Sequence, residues 1–245
     1  MLEADVPAPR PAEGRAGSRI FRFSVARFLT ALVLLFLLFP FVQELPHGPL
    51  IESLAGTLVM CLGVLAVGAR RRVLIIAIIL VVPAVLGSWV NHYWPGRYPI
   101  EAVFTARFLF LSFVVARLLI FILRARRVDS EVLCAGISVY LLMGLLWAFA
   151  YMVIGHEAPN AFAINTPPDV SHVMDRPTAF YFSFITLATV GYGDITPVSN
   201  GARVLAILEA ISGTLFVGVL IARLVSLYSA RSPANGQGQD VHRDV

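Results

Sequence analysis

The chain has 245 residues, of which 58% are hydrophobic and only 14% are charged. That balance lies far outside the range of a soluble domain of this length, so the lipid bilayer is the expected solvent. The formal net charge of +4 comes from arginines in short loops, where they set membrane orientation, and a nucleic-acid partner is not expected.

Six apolar runs are long enough to cross a hydrocarbon core about 30 Å thick, which takes about 20 helical residues. The predicted spans are residues 25–42, 50–68, 73–90, 102–123, 132–154 and 202–227. A seventh apolar run, Thr178 to Thr189, is too short to span and is typical of a re-entrant segment. The sequence therefore predicts an all-α membrane protein with six transmembrane helices and one re-entrant helix.

Arginine clusters predict the orientation of these spans. They precede the first span, join the second to the third, follow the fourth and close the chain after the sixth. Since Lys and Arg accumulate in short cytoplasmic loops, the clusters fall on one side if there are six spans and a re-entrant loop. We therefore expect a multi-pass protein of the cell membrane with both termini cytoplasmic, and disordered tails over residues 1–24 and 230–245.

The re-entrant segment begins and ends at recognisable signals. Asp175 and Pro177 are residue types that start helices, by capping free amides and presetting the first turn. Beyond the helix, an extended strand would point its carbonyls alternately to two sides. Gly191 and Gly193 open the backbone angles that turn successive carbonyls to one side. The sequence thus predicts a short helix followed by a row of carbonyl oxygens over Thr189–Tyr192.

This stretch resembles the selectivity filter of the potassium-channel family, and the whole layout resembles the prokaryotic six-transmembrane type. The family pattern Thr-x-x-Thr-Val-Gly-Tyr-Gly-Asp is matched by Thr186, Thr189, Val190, Gly191, Tyr192, Gly193 and Asp194. The resemblance implies passive conduction of K⁺, with filter carbonyls replacing the ion's water and no cofactor besides the permeant ion. It also implies a cyclic homotetramer, because one chain carries one filter loop.

Neighbouring residues are expected to support the filter, namely Tyr181, Thr186, Asp194 and Glu209. The Tyr181 hydroxyl is predicted to hydrogen-bond Asp194, and the Tyr192 ring is predicted to pack around the short helix near Tyr181 and Phe182. Some family members hold the filter with a carboxylate in the short helix, where this chain has Ile185. That departure puts inactivation at the filter in doubt.

Glu209 is an acid at membrane depth, which is costly and requires a partner or a function. One alternative is that it braces the short helix from behind, through Ser183 or Thr186. The other is that it faces the central cavity as part of a ring that attracts cations.

The sixth span resembles the inner helix of the family. Gly213 falls where the family tends to place a bending glycine, with Gly218 following, but close packing of small residues explains Gly213 equally well. Leu220 and Leu224 are candidates for an apolar constriction that gates by dewetting, or for part of a packing seam.

The resemblance divides the chain into a four-helix domain, residues 25–127, and a pore domain, residues 128–229. Voltage-gated members repeat arginine at every third residue of the fourth span, whereas here Arg107 and Arg117 lie ten residues apart and Glu52 is the only acid in spans two and three. We predict a degenerate, sensor-like domain without steep voltage gating, with a voltage-gated channel as the alternative. The short connection of residues 124–131 makes tight coupling to a gate doubtful.

Other classes leave different signatures. A potassium transporter subunit would carry four filter loops with weaker glycine patterns in one chain. A membrane enzyme would gather catalytic residues at one depth, but the histidines here are scattered over loops. A non-conducting regulatory subunit would share every feature above. The sequence favours a potassium-selective channel, not an enzyme, with K⁺, membrane lipids and further copies of itself as partners.

Overall fold

The computed structural model of the chain describes residues 14–42, 48–67, 71–94, 100–125, 129–165 and 174–229. Within these ranges the chain forms seven helices and two short strands. The helices are α1 (Gly14–Val42), α2 (Gly48–Ala66), α3 (Arg71–Tyr93), α4 (Ile100–Arg124), α5 (Ser130–Glu157), α6 (Arg176–Leu187) and α7 (Asn200–Ser229), and the strands are β1 (Phe162–Ile164) and β2 (Ile195–Pro197).

Four of these helices are long and apolar enough to cross a membrane. The crossing segments are Arg71–Val90, Ala102–Arg124, Ser130–Glu157 and Asn200–Ser226. In α1 and α2 the described apolar segments are shorter, Val25–Leu38 and Ser53–Ala66, and fall below the 20 or so residues that a full span requires. A helix therefore lies at each of the six predicted spans, and four of them meet the length criterion.

Helix α1 begins earlier than the sequence suggested. It starts at Gly14, so residues 14–24 are helical although a disordered tail was predicted as far as residue 24. Residues 14–24 contain no proline to break the helix. The helix is anchored further along by Val25, Phe28 and Leu32, all buried on one face. Residues 1–13 and the predicted tail 230–245 lie outside the described residues.

Helices α1 and α4 pack directly on α5 of the same chain. One apolar cluster contains buried residues from α1, α4 and α5, among them Phe28, Phe110, Val114 and Leu142. Helix α1 contacts α2 and α5, while α4 contacts α3 and α5. The four-helix region is therefore built onto the helix that precedes the re-entrant segment.

The re-entrant segment α6 lies between α5 and α7. A second cluster surrounds it, in which the rings of Tyr151, Phe162 and Phe182 approach one another with centroid distances of 4.8 to 5.7 Å. Strand β1 pairs antiparallel with β2, with Ala163 opposite Thr196. This small sheet, which the sequence did not predict, ties the loop after α5 to the segment that follows the candidate filter.

Helix α1 also contacts the re-entrant helix. The Phe36 ring lies 4.9 Å from that of Phe180 and 5.1 Å from that of Phe184, measured between ring centroids. Such tilted and edge-on arrangements are the favoured geometries of aromatic pairs. The four-helix region thus contacts both α5 and α6.

Candidate functional site

The start of helix α6 is fixed by the two predicted residues. The Asp175 carboxylate accepts a hydrogen bond from the Thr178 amide at 3.0 Å, and Pro177 occupies the first turn. The helix ends at Leu187. The predicted beginning of the short helix is confirmed, and its end lies two residues before the predicted Thr189. Its C-terminus carries about half a negative charge next to the filter stretch.

The filter stretch has an unusual backbone. The φ angle is +57° at Thr189, +54° at Gly191 and +81° at Gly193, so every second residue is left-handed. In an extended strand, successive carbonyls point to opposite sides. Inverting the sign of φ at every second residue turns them to the same side. For Thr189, which has a Cβ, this conformation costs about 1–2 kcal/mol, so the surrounding contacts must hold it.

The last turn of α6 supplies those contacts through its carbonyl oxygens. The Ile185 carbonyl accepts hydrogen bonds from the amides of Val190 and Gly191, at 2.8 and 3.2 Å, and the Thr186 carbonyl accepts one from Thr189 at 2.9 Å. Ile185 replaces the carboxylate of some family members, yet its backbone oxygen still fastens the filter stretch. The support expected from Thr186 acts here through its backbone.

The predicted hydrogen bond between Tyr181 and Asp194 is confirmed. The Tyr181 hydroxyl donates to Oδ2 of Asp194 at 2.8 Å, and Oδ1 of the same carboxylate accepts from the Ile195 amide at 3.1 Å. The bond to Asp194 raises the pKa of Tyr181, so this phenol keeps its proton at neutral pH. Asp194 is thereby tied to α6 on one side and to β2 on the other.

The packing predicted for Tyr192 stays a prediction, because the single chain leaves this residue largely exposed. Its ring was expected to pack around α6, yet 71% of the residue is exposed. Phe182, one of its expected neighbours, is buried in the cluster with Tyr151 and Phe162 and so is not available to cover it. The exposed filter residues 189–193 form an open surface on the single chain.

Glu209 braces α6, as the first of its two alternatives predicted. The residue is 0% exposed. The Ser183 hydroxyl lies 2.5 Å from its Oε1, and the Tyr151 hydroxyl donates to its Oε2, also at 2.5 Å. Ser183, and not Thr186, is therefore the partner on α6. Tyr151 of α5 was missed, although a hydroxyl-bearing residue in an apolar span is a natural partner for a buried acid.

The Ser183 hydroxyl contacts two acceptors. Besides Glu209 it lies 2.7 Å from the Gly144 carbonyl oxygen, and a hydroxyl has only one proton to donate. Both contacts are hydrogen bonds if Ser183 donates to Gly144 and a protonated Glu209 donates to Ser183. A neutral carboxyl group here would link α5, α6 and α7 with every partner satisfied.

Gly213 serves close helix packing. A Cβ atom at Gly213 would overlap the carbonyl oxygen of Leu187 and lie 2.9 Å from its Cδ1, whereas one at Gly218 would have nothing within 4 Å. The inner helix α7 therefore touches the C-terminal end of α6 at Gly213. Of the two explanations for this glycine, the structure favours close packing.

Leu220 also belongs to a packing seam within the chain. Its Cδ2 lies 3.1 Å from the place where a Cβ on Gly136 of α5 would be, and Leu220 is half-buried. Leu224 is half-buried as well. For Leu220 the packing alternative therefore applies within one chain.

Arg107 and Arg223 each donate hydrogen bonds to neutral oxygen atoms. The Arg107 guanidinium donates to the Ser88 hydroxyl of α3 at 2.6 Å. The side chains of Glu52 and Glu101 lie outside the described residues.

Arg223 of α7 donates to the carbonyl oxygens of Leu123 and Ala125 at the end of α4, each at 2.7 Å. These are carbonyls that the helix itself leaves without a partner. The inner helix thus contacts α4 directly, a link that the short connection did not suggest.

Comparison with known proteins assigns this region to a family. A family model described as an ion channel matches residues 132–230. The protein LctB of Bacillus caldotenax is 36% identical over 103 residues, which cover 40% of this chain and 74% of LctB. The chain belongs to this ion-channel family.

Two human relatives each match less than half of the chain. The potassium voltage-gated channel subfamily A member 7 is 37% identical over 87 residues, which cover 36% of this chain and 19% of that protein. Member 10 of the subfamily is 30% identical over 107 residues, which cover 42% of this chain and 21% of that protein. The chain thus spans about a fifth of the length of each of these relatives.

Proposed function

We propose that the chain is a subunit of a potassium-selective channel that conducts K⁺ passively across the cell membrane. The observation that carries the proposal is the left-handed backbone at every second residue of Thr189–Gly193. Dehydrated K⁺ would be coordinated by the carbonyl oxygens of Thr189, Val190, Gly191 and Tyr192 and by the Thr189 hydroxyl. The names of the human relatives, which are potassium channels, agree with this ion.

The pore is formed by four copies of the chain around one axis. A single filter loop supplies one side of a ring, and cyclic symmetry closes such a ring from identical subunits. The single chain leaves Tyr192 exposed together with an apolar stripe along α7, surfaces that lipid or further copies must cover. The members of the stripe are Val204, Leu208, Ile211, Leu215 and Val219.

The electrostatics of α6 favour a cation. In the tetramer the four C-terminal ends of α6 would face the central cavity below the filter, each with about half a negative charge. Glu209 would not add to this ring, because it is buried between α5 and α6. A cation would thus be stabilised in the cavity by backbone dipoles.

The transmembrane layout and the gating of the proposed channel are inferred from the sequence. Six helices cross the membrane, both termini are cytoplasmic, and α7 with Gly213, Gly218, Leu220 and Leu224 is the helix that opens and closes the pore. Gating is not steeply voltage-dependent, because Arg107 and Arg117 supply few charges to move through the field, each worth about 2.3 kcal/mol per 100 mV. The alternative of a voltage-gated channel is favoured by the names of the human relatives, which match 36% and 42% of this chain.

Flux measurements on purified protein in liposomes test the proposal. We expect uptake of K⁺ but not of Na⁺ down an imposed gradient, blocked by Ba²⁺. The variant Gly193→Ala, which places a Cβ on a left-handed backbone, abolishes selectivity, while Gly218→Ala, at a glycine with open space around it, leaves it intact.

Three outcomes would redirect the proposal. Equal fluxes of K⁺ and Na⁺ would contradict a selective channel. Absence of any flux would favour the non-conducting regulatory subunit. A steep rise of conductance with voltage in symmetric K⁺ would favour the voltage-gated alternative.

A further inference from the structure

Three short contacts between oxygen atoms meet around Glu209. Its Oε2 lies 2.5 Å from the Tyr151 hydroxyl, and its Oε1 lies 2.5 Å from the Ser183 hydroxyl. The Ser183 hydroxyl in turn lies 2.7 Å from the Gly144 carbonyl oxygen. Two oxygen atoms at these distances share a proton in a hydrogen bond. The group therefore needs three protons.

The neighbouring hydroxyls supply two of these protons. Tyr151 and Ser183 can donate one each, and the Gly144 carbonyl has none to give. An ionised Glu209 can only accept, so it would leave one of the three contacts as two acceptors that face each other. A protonated Glu209 completes the set. Its Oε1 donates to Ser183, which then donates to Gly144, while its Oε2 accepts from Tyr151.

No positive charge beside Glu209 takes the place of that proton. Among the residues that the structure describes, its carboxyl oxygens are hydrogen-bonded to Ser183 of α6 and Tyr151 of α5 and to no cation. Tyr140 of α5 is the other ionisable group within electrostatic range. Because the residue is 0% exposed, an unpaired negative charge there would be costly, and the neutral carboxyl group is favoured.

The contact between Glu209 and α6 lies one helical turn from the end of that helix. Glu209 contacts Ser183, while Gly213, four residues further along α7, packs on Leu187. Ser183 and Leu187 are also four residues apart, and residues at that spacing share one helix face. The two contacts therefore form one seam between α6 and α7. The carbonyls that accept from the filter amides lie between Ser183 and Leu187 along α6.

We propose that the proton of Glu209 positions α6, and with it the filter, so that ionisation of this one group lowers the conduction of K⁺. Without that proton, Ser183 can donate to Gly144 or to Glu209 but not to both, so α6 loses a bond to α7 or to α5. The end of α6 then no longer holds the left-handed backbone at Thr189 in place. The inference rests on the proposed conduction of K⁺, in which Glu209 acts through α6 without touching the ion.

Infrared spectroscopy tests the presence of the proton without reference to ion flux. The full chain, with isotope-labelled glutamate carboxyl groups, is placed in lipid nanodiscs and compared with Glu209→Gln. At neutral pH we expect a carboxylic-acid band that shifts with the label, is missing from Glu209→Gln and remains in Glu157→Gln, at the exposed end of α5. In alkaline buffer this band should disappear. A neutral-pH spectrum without an acid band assigned to Glu209 would overturn the inference.

The pH dependence of K⁺ flux tests the link to the filter. In liposomes the flux of the native protein should fall about tenfold between neutral and alkaline buffer, the factor that corresponds to loss of one buried hydrogen bond. The amide of Glu209→Gln offers a donor and an acceptor that do not titrate, so its flux should stay constant over the same range. Tyr151→Phe keeps the contact of Glu209 with Ser183 and should lose flux in alkali as the native protein does.

Two flux results would also overturn the inference. Constant flux of the native protein from neutral to alkaline buffer would show that the proton does not position the filter. Equal alkaline loss in Glu209→Gln would assign the titration to another group, such as the exposed Tyr181 hydroxyl bonded to Asp194. Absence of flux at every pH would instead contradict the proposed conduction, and the infrared band would still decide whether Glu209 carries the proton.

Discussion

The two halves of the chain are held together in different ways. In α5–α7, polar side chains fix the geometry, with Glu209 between Ser183 and Tyr151, and Tyr181 on Asp194. In α1–α4, apolar contacts predominate in the core. Lipid is as apolar as a leucine side chain, so apolar burial alone does not select one partner helix in a membrane. The half that carries the candidate filter has a fully buried acid with two hydroxyl partners, whereas the polar links described in α1–α4, such as Arg107 to Ser88, are only partly buried. The family match begins in the filter-bearing half, at residue 132.

The largest effect is expected at the buried acid. Glu209→Leu would leave the Tyr151 hydroxyl buried without its partner and would remove one of the two contacts of the Ser183 hydroxyl, at a cost of about 2–4 kcal/mol. Glu209→Gln, which offers one acceptor and one donor like a neutral carboxyl group, should cost much less. Thermal unfolding in detergent measures both, with Glu157→Gln at the exposed end of α5 as the control. If Glu209→Leu were as stable as the native protein, polar links would not distinguish the pore half.

The second-largest effect on stability is expected at the contact between α7 and the end of α6. Gly213→Ala forces a methyl group onto the backbone of Leu187 and should cost about 1–3 kcal/mol. Gly218→Ala has open space and should be neutral or stabilising, because alanine is the better helix former. The midpoints of thermal unfolding should separate the two variants. Equal midpoints would contradict close packing at Gly213.

A smaller effect is expected at the outer end of the filter. Tyr181→Phe removes the hydrogen bond to Asp194, worth about 0.5–1.5 kcal/mol, and should speed the loss of K⁺ current during continuous conduction. Single-channel recording of open durations measures this. Tyr93→Phe, which removes an exposed hydroxyl at the end of α3, is the matched control. Unchanged open durations in Tyr181→Phe would show that this bond does not limit filter stability.

The smallest effect is expected at the link between the halves. Arg223→Gln weakens the bonds to the carbonyls of Leu123 and Ala125, by about 1 kcal/mol. Hydrogen exchange at the last turn of α4 should then quicken about fivefold, since 1.4 kcal/mol corresponds to tenfold. Arg203→Gln, at the other end of α7, should leave that turn unchanged. Equal exchange in both variants would mean that α4 and α7 are not coupled through Arg223.

The local features of the candidate site could be predicted because they depend on neighbours in the chain. Asp175 and Pro177 start α6 through contacts within one turn. Gly191 and Gly193 admit left-handed angles because they lack a Cβ. Even the Tyr181–Asp194 bond joins residues only thirteen positions apart.

The sequence by itself determined where the re-entrant helix begins and ends and which backbone can turn its carbonyls to one side. Only the tertiary structure decided that Tyr151 is the second partner of Glu209, that Gly213 faces Leu187, and that Arg223 reaches the end of α4. Helices α5 and α7 are apolar nearly all round, so no periodic pattern marks the face that meets a neighbour. Which faces meet depends on how all seven helices fill space together, and that is settled by packing across the whole chain.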